Sequence, residues 1–314
     1  MEKRTLGHSG LQIAPLVFGG NVFGWTADTN TSFALLDAFV DAGLNCIDTA
    51  DVYSAWVPGN KGGESETVIG QWLKKSGKRD QVVIATKTGA KGSPGQALDK
   101  AGITRAVDAS LQRLQTDYID LFQTHYDHEA TPVTETLQAY ADLIKAGKIR
   151  VIGTSNMSPA RVKASLDAAT AHNLPRYESI QPLYNLSDRT PYETEYEPLI
   201  REYGLGVIPY YSLASGFLTG KYRSMEDLNK SPRGQGVKKY LDERGIRILG
   251  ALDDVAKRYS TAPAAIALAW LMARPSITAP IASATSLDQL QSLVKATQLQ
   301  LDRDAIEQLN VASA

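Results

Sequence analysis

The chain has 314 residues, 33 basic and 34 acidic side chains for a formal charge of −1, and 43% hydrophobic against 21% charged residues. A disordered chain would carry fewer apolar residues and more net charge, and a nucleic-acid binder an excess of Lys and Arg. The lone Cys46 excludes an internal disulfide and a cysteine-based metal site, and no apolar run approaches the ~18–20 residues of a membrane span.

A single cysteine and a start without the apolar stretch of a secretory signal point to the cytosol. Two short alternating runs around a Gly/Ser turn, residues 4–13, predict a hairpin. Eight short apolar runs follow, at residues 16–20, 44–48, 82–87, 118–125, 149–155, 178–184, 206–211 and 277–283. Between them the apolar period becomes helical. Residues 31–42 put Phe33, Leu36, Phe39 and Val40 on one face and stop at Gly43. Residues 132–146 do the same with Val133, Leu137, Tyr140 and Ile144. Ser158-Pro159 caps a helix through residue 171, and Pro275 ends one over residues 263–274.

Strands alternating with helices make a parallel sheet. Eight such units predict an α/β fold, a (β/α)₈ TIM barrel of ~250 residues. The surplus is the N-terminal β-hairpin, a long polar surface loop after strand seven (222–240) and an extra C-terminal helix after Asp302. No Pro/Gly-rich linker divides the chain, so residues 1–314 read as one domain. The competing open doubly wound sheet would carry G-x-G-x-x-G if it bound a dinucleotide, and that spacing is absent. The phosphate loop, the H-E-x-x-H zinc pattern and the nucleophile elbow are absent too, and no metal is expected.

The informative pattern is where the apolar runs turn polar: Asp48, Lys87, His125, Ser155-Asn156, Gln181, Tyr211-Ser212 and Ser283. In a barrel these ends share the rim where active sites are built. Singly they have plain readings: a cap, a solvent lysine, a structural histidine and, at Tyr53, a loop aromatic. Together they assemble one mechanism. A phenol titrates near ~10, too high for an efficient acid at neutral pH. A Lys87 ammonium would lower the Tyr53 pKa, Asp48 would keep Lys87 charged, and His125 would hydrogen-bond a substrate oxygen.

These residues sit in segments that resemble the aldo-keto reductase family: Asn45 to Tyr53, Ala85 to Thr88, Leu121 to His125, Gly153 to Asn156, Gln181 to Asn185, and Tyr210 to Tyr222. The likeness runs in order along the chain. It is nearest the branch with the potassium-channel β subunits and the aflatoxin-aldehyde reductases. The resemblance implies reduction of aldehydes and ketones by hydride transfer from NADPH, with NADH as the alternative cofactor. It makes Tyr53 the proton donor, tuned by Asp48 and Lys87, and has His125 orient a small-molecule carbonyl.

The nicotinamide would stack on Tyr211, with Ser155, Asn156 and Gln181 on its amide. Ser212, Leu213, Ser215, Lys221 and Arg233 would meet the phosphates, and Gly20, Asn21, Ser283, Thr285 and Gln289 complete the implied cofactor set. Where many members have Arg, this chain has Gln289, so a 2′-phosphate would rest on Thr285, Ser286, Gln289 and Lys295. Trp25, Trp56 and Tyr126 would wall the substrate pocket. Two other functions compete: a cofactor-sensing regulatory barrel with little turnover, and a sugar-phosphate isomerase on the same fold.

Overall fold

The opening runs pair antiparallel as β1 (Arg4–Thr5) and β2 (Gln12–Ile13), with Arg4 opposite Ile13. The computed structural model describes residues 1–314. Leu6 and Ile13 of the hairpin pack in one buried cluster with Val17, Cys46, Val83 and Leu121, and so plug the floor of the barrel.

Each of the eight apolar runs forms a strand: β3 (Val17–Gly19), β4 (Cys46–Asp48), β5 (Val83–Thr88), β6 (Ile119–Thr124), β7 (Ile149–Ser155), β8 (Ser179–Gln181), β9 (Gly206–Val207) and β10 (Ile281–Ala282). All neighbours are parallel, in the order β10-β3-β4-β5-β6-β7-β8-β9. The ring closes between β9 and β10. Ala279 N donates to Val207 O (3.2 Å), Ile281 N to Pro209 O (3.0 Å) and Val207 N to Thr278 Oγ1 (3.0 Å).

Helices alternate with the strands: α1 (Thr29–Asp41), α2 (Glu64–Ser76), α3 (Lys100–Leu114), α4 (Val133–Lys145), α5 (Pro159–His172), α6 (Glu197–Tyr203), α7 (Glu243–Arg258), α8 (Pro263–Met272), α9 (Leu287–Ala296) and α10 (Arg303–Ala312). Their starts are written locally. Asp28, Asp99, Ser158, Asp242, Ser286 and Asp302 each accept an N–H of the first turn, which would otherwise be unpaired.

Two expectations are corrected. Helix α1 buries Leu35, Leu36 and Phe39, whereas Phe33 and Val40 are only partly covered, so its inner face is rotated from the predicted one. The segment 222–240 is more than a surface loop. It folds as two 3₁₀ turns, Met225–Lys230 and Gly234–Tyr240, and sinks Tyr222, Leu228, Val237 and Tyr240 into the core. Four apolar anchors spread among polar residues carry no regular period, which hides them from periodicity.

Side chains alternate along a strand, so every second residue enters the barrel. Cys46, Val83, Ala85 and Leu121 form an apolar lower storey. Two residues further along β4, β5 and β6 stand Asp48, Lys87 and Gln123, all buried. The strands that fill the core thus end in a polar storey at the rim.

Candidate active site

The Lys87 ammonium is the hub of the rim. It donates to Asp48 Oδ2 (2.6 Å), Thr49 O (2.7 Å) and Tyr53 Oη (3.0 Å), which uses all three of its N–H groups. Lys87 is 0% exposed and Asp48 1%. Burial works against the charge on Lys87, but Asp48 and the Tyr53 oxygen outweigh it and hold the ammonium above the usual lysine range. The Tyr53 turn is pinned from behind, with Asp51 N donating to Lys87 O (3.1 Å) and Ser54 Oγ to Phe23 O (2.7 Å).

The phenol differs from the sequence expectation. Burial pushes Tyr53 above its ordinary pKa, and the opposing pull of Lys87 does not overcome it. The ammonium already shares its charge with Asp48, and the partial burial of the ring penalises a phenolate. Tyr53 therefore keeps its proton at neutral pH.

His125 follows β6, held by its own N–H donating to Thr88 O (2.7 Å), with its ring 6.0 Å from that of Tyr53. Burial, reinforced by Lys87, pushes its pKa down to about 3, so the imidazole is neutral. Nδ1 is buried without a partner. An unmet buried acceptor is the cheaper state than an unmet donor, so the proton belongs on Nε2, where a carbonyl oxygen can accept it.

The predicted cofactor residues line the same rim. Ser155 Oγ donates to Gln181 O (2.8 Å), and Asn156 Nδ2 donates to His125 O (2.9 Å) and Ser155 Oγ (3.1 Å). Tyr210 Oη locks Asn156 by donating to its Oδ1 (3.0 Å). Asn156 is thus spent within the wall, whereas Ser155 and Gln181 keep acceptors. Tyr211 exposes half its surface at φ 57°, and Asn185 Nδ2 donates to its carbonyl (3.0 Å). Ser212 Oγ is committed to Pro209 O (3.1 Å). Beyond Leu213, residues Ala214, Ser215 and Gly216 all have positive φ; Ala214 N donates to Tyr211 O (2.7 Å) and Gly216 N to Leu213 O (2.8 Å), which leaves the N–H of Ser215 for an anion.

Lys221 lies against this turn, where a Gly216 Cβ would meet its Nζ at 3.4 Å, and over Tyr222; Arg233 lies over Trp25, and neither cation is paired with a carboxylate. Asn21 donates to Ser283 Oγ (2.7 Å) and accepts from Arg233 Nη2 (2.9 Å), beside Gly20, where a Cβ would press on Asp48 O at 3.0 Å. Unpaired cations beside a left-handed turn, with free acceptors at the inner end, fit a dinucleotide carrying a carboxamide.

At the outer end Gln289 Oε1 accepts from Thr285 N (2.9 Å) and Thr285 Oγ1 (3.1 Å). Lys295 does not serve the 2′-phosphate site as expected. Its Nζ donates to Ser260 O (2.9 Å), and it stands about 9 Å further along α9 than Gln289. The three pocket aromatics do gather at the mouth. Trp56 meets Trp25 edge to face at 5.7 Å and Tyr53 at 5.8 Å, and Tyr126 lies 4.9 Å from the His125 ring.

Two residues of the site escape a reading of strand ends. Gln123 donates from Nε2 to Asp48 Oδ1 (3.1 Å), and the signal that could have found it is its place two residues before His125 on an alternating strand. Asp51 is the other. Its Oδ2 accepts from Thr88 Oγ1 (2.7 Å) and Ser93 Oγ, while Oδ1 is buried and unpartnered. Burial raises it to about 6, against the pull of Ser93 and Thr88, with Glu66 raising and Arg113 lowering.

Asp51 and His125 act oppositely on stability. Between 3.8 and about 6 the folded protein holds a proton on Asp51 that the unfolded chain lacks, so this contribution falls as pH rises. Between about 3 and 6.5 folded His125 lacks a proton that the unfolded chain holds, so its contribution grows with pH. Asp51→Asn removes the first effect. Its Tm is expected to fall more steeply than that of the wild type from pH ~6 to ~4, by up to roughly 3 kcal/mol in stability. Parallel Tm–pH curves for the two proteins would contradict this.

The sequence matches the profile of the Aldo/keto reductase family over residues 15–314. It is 33% identical to the uncharacterized oxidoreductase YrpG of Bacillus subtilis, over 99% of this chain and 95% of that protein. It is 33% identical to a probable voltage-gated potassium channel subunit beta of Oryza sativa, over 94% and 91%. The norsolorinic acid reductase stcV of Emericella nidulans is 33% identical over 96% and 78%. With eight parallel strands, the polar rim and a match over nearly its whole length, the chain belongs to the aldo/keto reductase family.

Proposed function

We propose that residues 1–314 act as one barrel that reduces aldehydes or ketones to alcohols with NADPH. The observation that carries this reading is Lys87 bonded at once to Asp48, Thr49 O and Tyr53 Oη, next to a neutral His125. The chemistry NADPH supplies when bound is a hydride from its nicotinamide. Tyr211, Ser155 and Gln181 would hold that ring, and Ser215, Lys221 and Arg233 would hold the phosphates. His125 Nε2–H orients the carbonyl oxygen. As that oxygen gains negative charge, Tyr53 gives up its proton, and the phenolate left behind is stabilised by Lys87 at 3.0 Å. A raised phenol pKa suits this order of events, because the proton leaves only for a stronger base, the forming alkoxide.

Lys221 and Arg233, both free of carboxylate partners, would meet the pyrophosphate that both dinucleotides share, so discrimination between them would rest on Thr285, Ser286 and Gln289 at the 2′-phosphate. NADPH is expected to bind at least about tenfold tighter than NADH, the yield of one charge-assisted hydrogen bond. The test follows loss of NADPH absorbance with an activated aromatic aldehyde, alongside titrations of both dinucleotides. Tight binding without turnover across a broad carbonyl panel would replace the reductase by a cofactor-sensing barrel.

A further inference from the structure

We propose that Gln123 is a positioning residue that locks the plane of the Gln181 amide, so that Gln181 Oε1 reads the N–H groups of a nicotinamide carboxamide. The inference rests on the cofactor site of the proposed function.

Gln123 is 0% exposed and Gln181 2%, so water does not compete for their amides. Gln181 Nε2 donates to Asp48 Oδ1 (2.9 Å) and to Gln123 Oε1 (3.3 Å), and Gln123 Nε2 donates to the same carboxylate oxygen (3.1 Å). A carboxylate only accepts, so Asp48 decides which end of each amide faces it. One such bond leaves the Gln181 amide free to swing about it. The second bond, to Gln123, removes that freedom and consumes the remaining N–H.

What is left toward the cleft is Gln181 Oε1, to which no protein group donates. Ser155 Oγ is bonded to the backbone of the same residue, with its hydrogen already given to Gln181 O (2.8 Å). The wall therefore offers acceptors and no donors there, the complement of an NH₂ group. Room for the arrangement comes from Gly153, which pairs with Gln123 across β6 and β7. A Cβ on Gly153 would come within 2.4 Å of Ser179 Oγ and 3.3 Å of Gln123 Cγ.

The experiment measures binding, not turnover, by calorimetry on the full chain. Three probes are used: NADP⁺, its acetylpyridine analogue (a methyl ketone in place of the carboxamide), and the phosphorylated ADP-ribose fragment that lacks nicotinamide. Wild type is expected to prefer NADP⁺ over the analogue by about tenfold, the worth of a lost hydrogen bond to a fixed acceptor. Gln123→Met, close in size, is expected to bind the two alike while binding the fragment as wild type does. The double variant Gln123→Met/Gln181→Met should discriminate no worse than Gln181→Met alone, because both act through one amide.

Preference retained in Gln123→Met, or equal weakening of the fragment, overturns the inference. Gln123→Asn serves the same comparison if the Met variant does not fold. A wild-type protein that binds no dinucleotide overturns the proposed function as well, so the two failures are separable.

Discussion

Replacing Tyr53 by Phe is expected to lower kcat for carbonyl reduction by about 10²–10⁴-fold, the range that one positioned proton donor contributes. The substitution removes a single oxygen. Lys87 keeps its bonds to Asp48 and Thr49 O, and the ring keeps its edge contact with Trp56, so the wall of the cleft survives. Dinucleotide affinity should be unchanged, because Tyr53 makes no hydrogen bond to the residues assigned to hold the cofactor and Asp48 keeps its bond from Gln181. Steady-state rates and titration of wild type and variant together check both halves. Retention of more than about a tenth of kcat would remove Tyr53 from the role of proton donor.

The second large effect is on stability. Lys87→Met leaves the Asp48 carboxylate buried without its counter-ion, and breaking such a pair from one side costs about 3–5 kcal/mol. The two amides on Asp48 Oδ1 donate hydrogen bonds but bring no positive charge. Removing both charges is different. Asp48→Asn/Lys87→Met should recover most of the lost stability while activity stays at the level of the single variant, since no cation remains to stabilise the phenolate. Urea melts and kcat on the three proteins separate the effects. A double variant as unstable as Lys87→Met would show that the pair is not what Asp48 depends on.

Both predictions rest on residues legible in the sequence. Asp48, Lys87 and His125 each end an apolar run, and a closed ring of parallel strands carries such ends to one rim. The eight strands were readable because buried parallel strands are short apolar blocks between turn residues. What stayed hidden depends on neighbours that only folding brings together. The pKa of Tyr53 is set by the balance between its burial and the pull of Lys87, which no spacing records. Gln123 lies inside an apolar run and acts on a partner from another strand. Lys295 has the right charge for a phosphate, but a helix carries it past the site to Ser260. Tyr222, Leu228, Val237 and Tyr240 pack into the core from a stretch whose composition reads as loop.

The seam between β9 and β10 has a mechanical consequence. The strands bearing Lys87 and Gln123 are joined by long ladders, whereas β9 and β10 are short and meet through a few bonds, one from a side chain. In the strand order that seam lies across the ring from β5. Local opening follows the joints with the fewest protected hydrogen bonds. The barrel therefore divides into a stiff arc that carries the proton chemistry and a compliant arc that carries Tyr211 and Ser283. Under the proposed function, such a ring can loosen its hold on a dinucleotide, as exchange of a spent cofactor requires, without disturbing the distance between Lys87 and Tyr53.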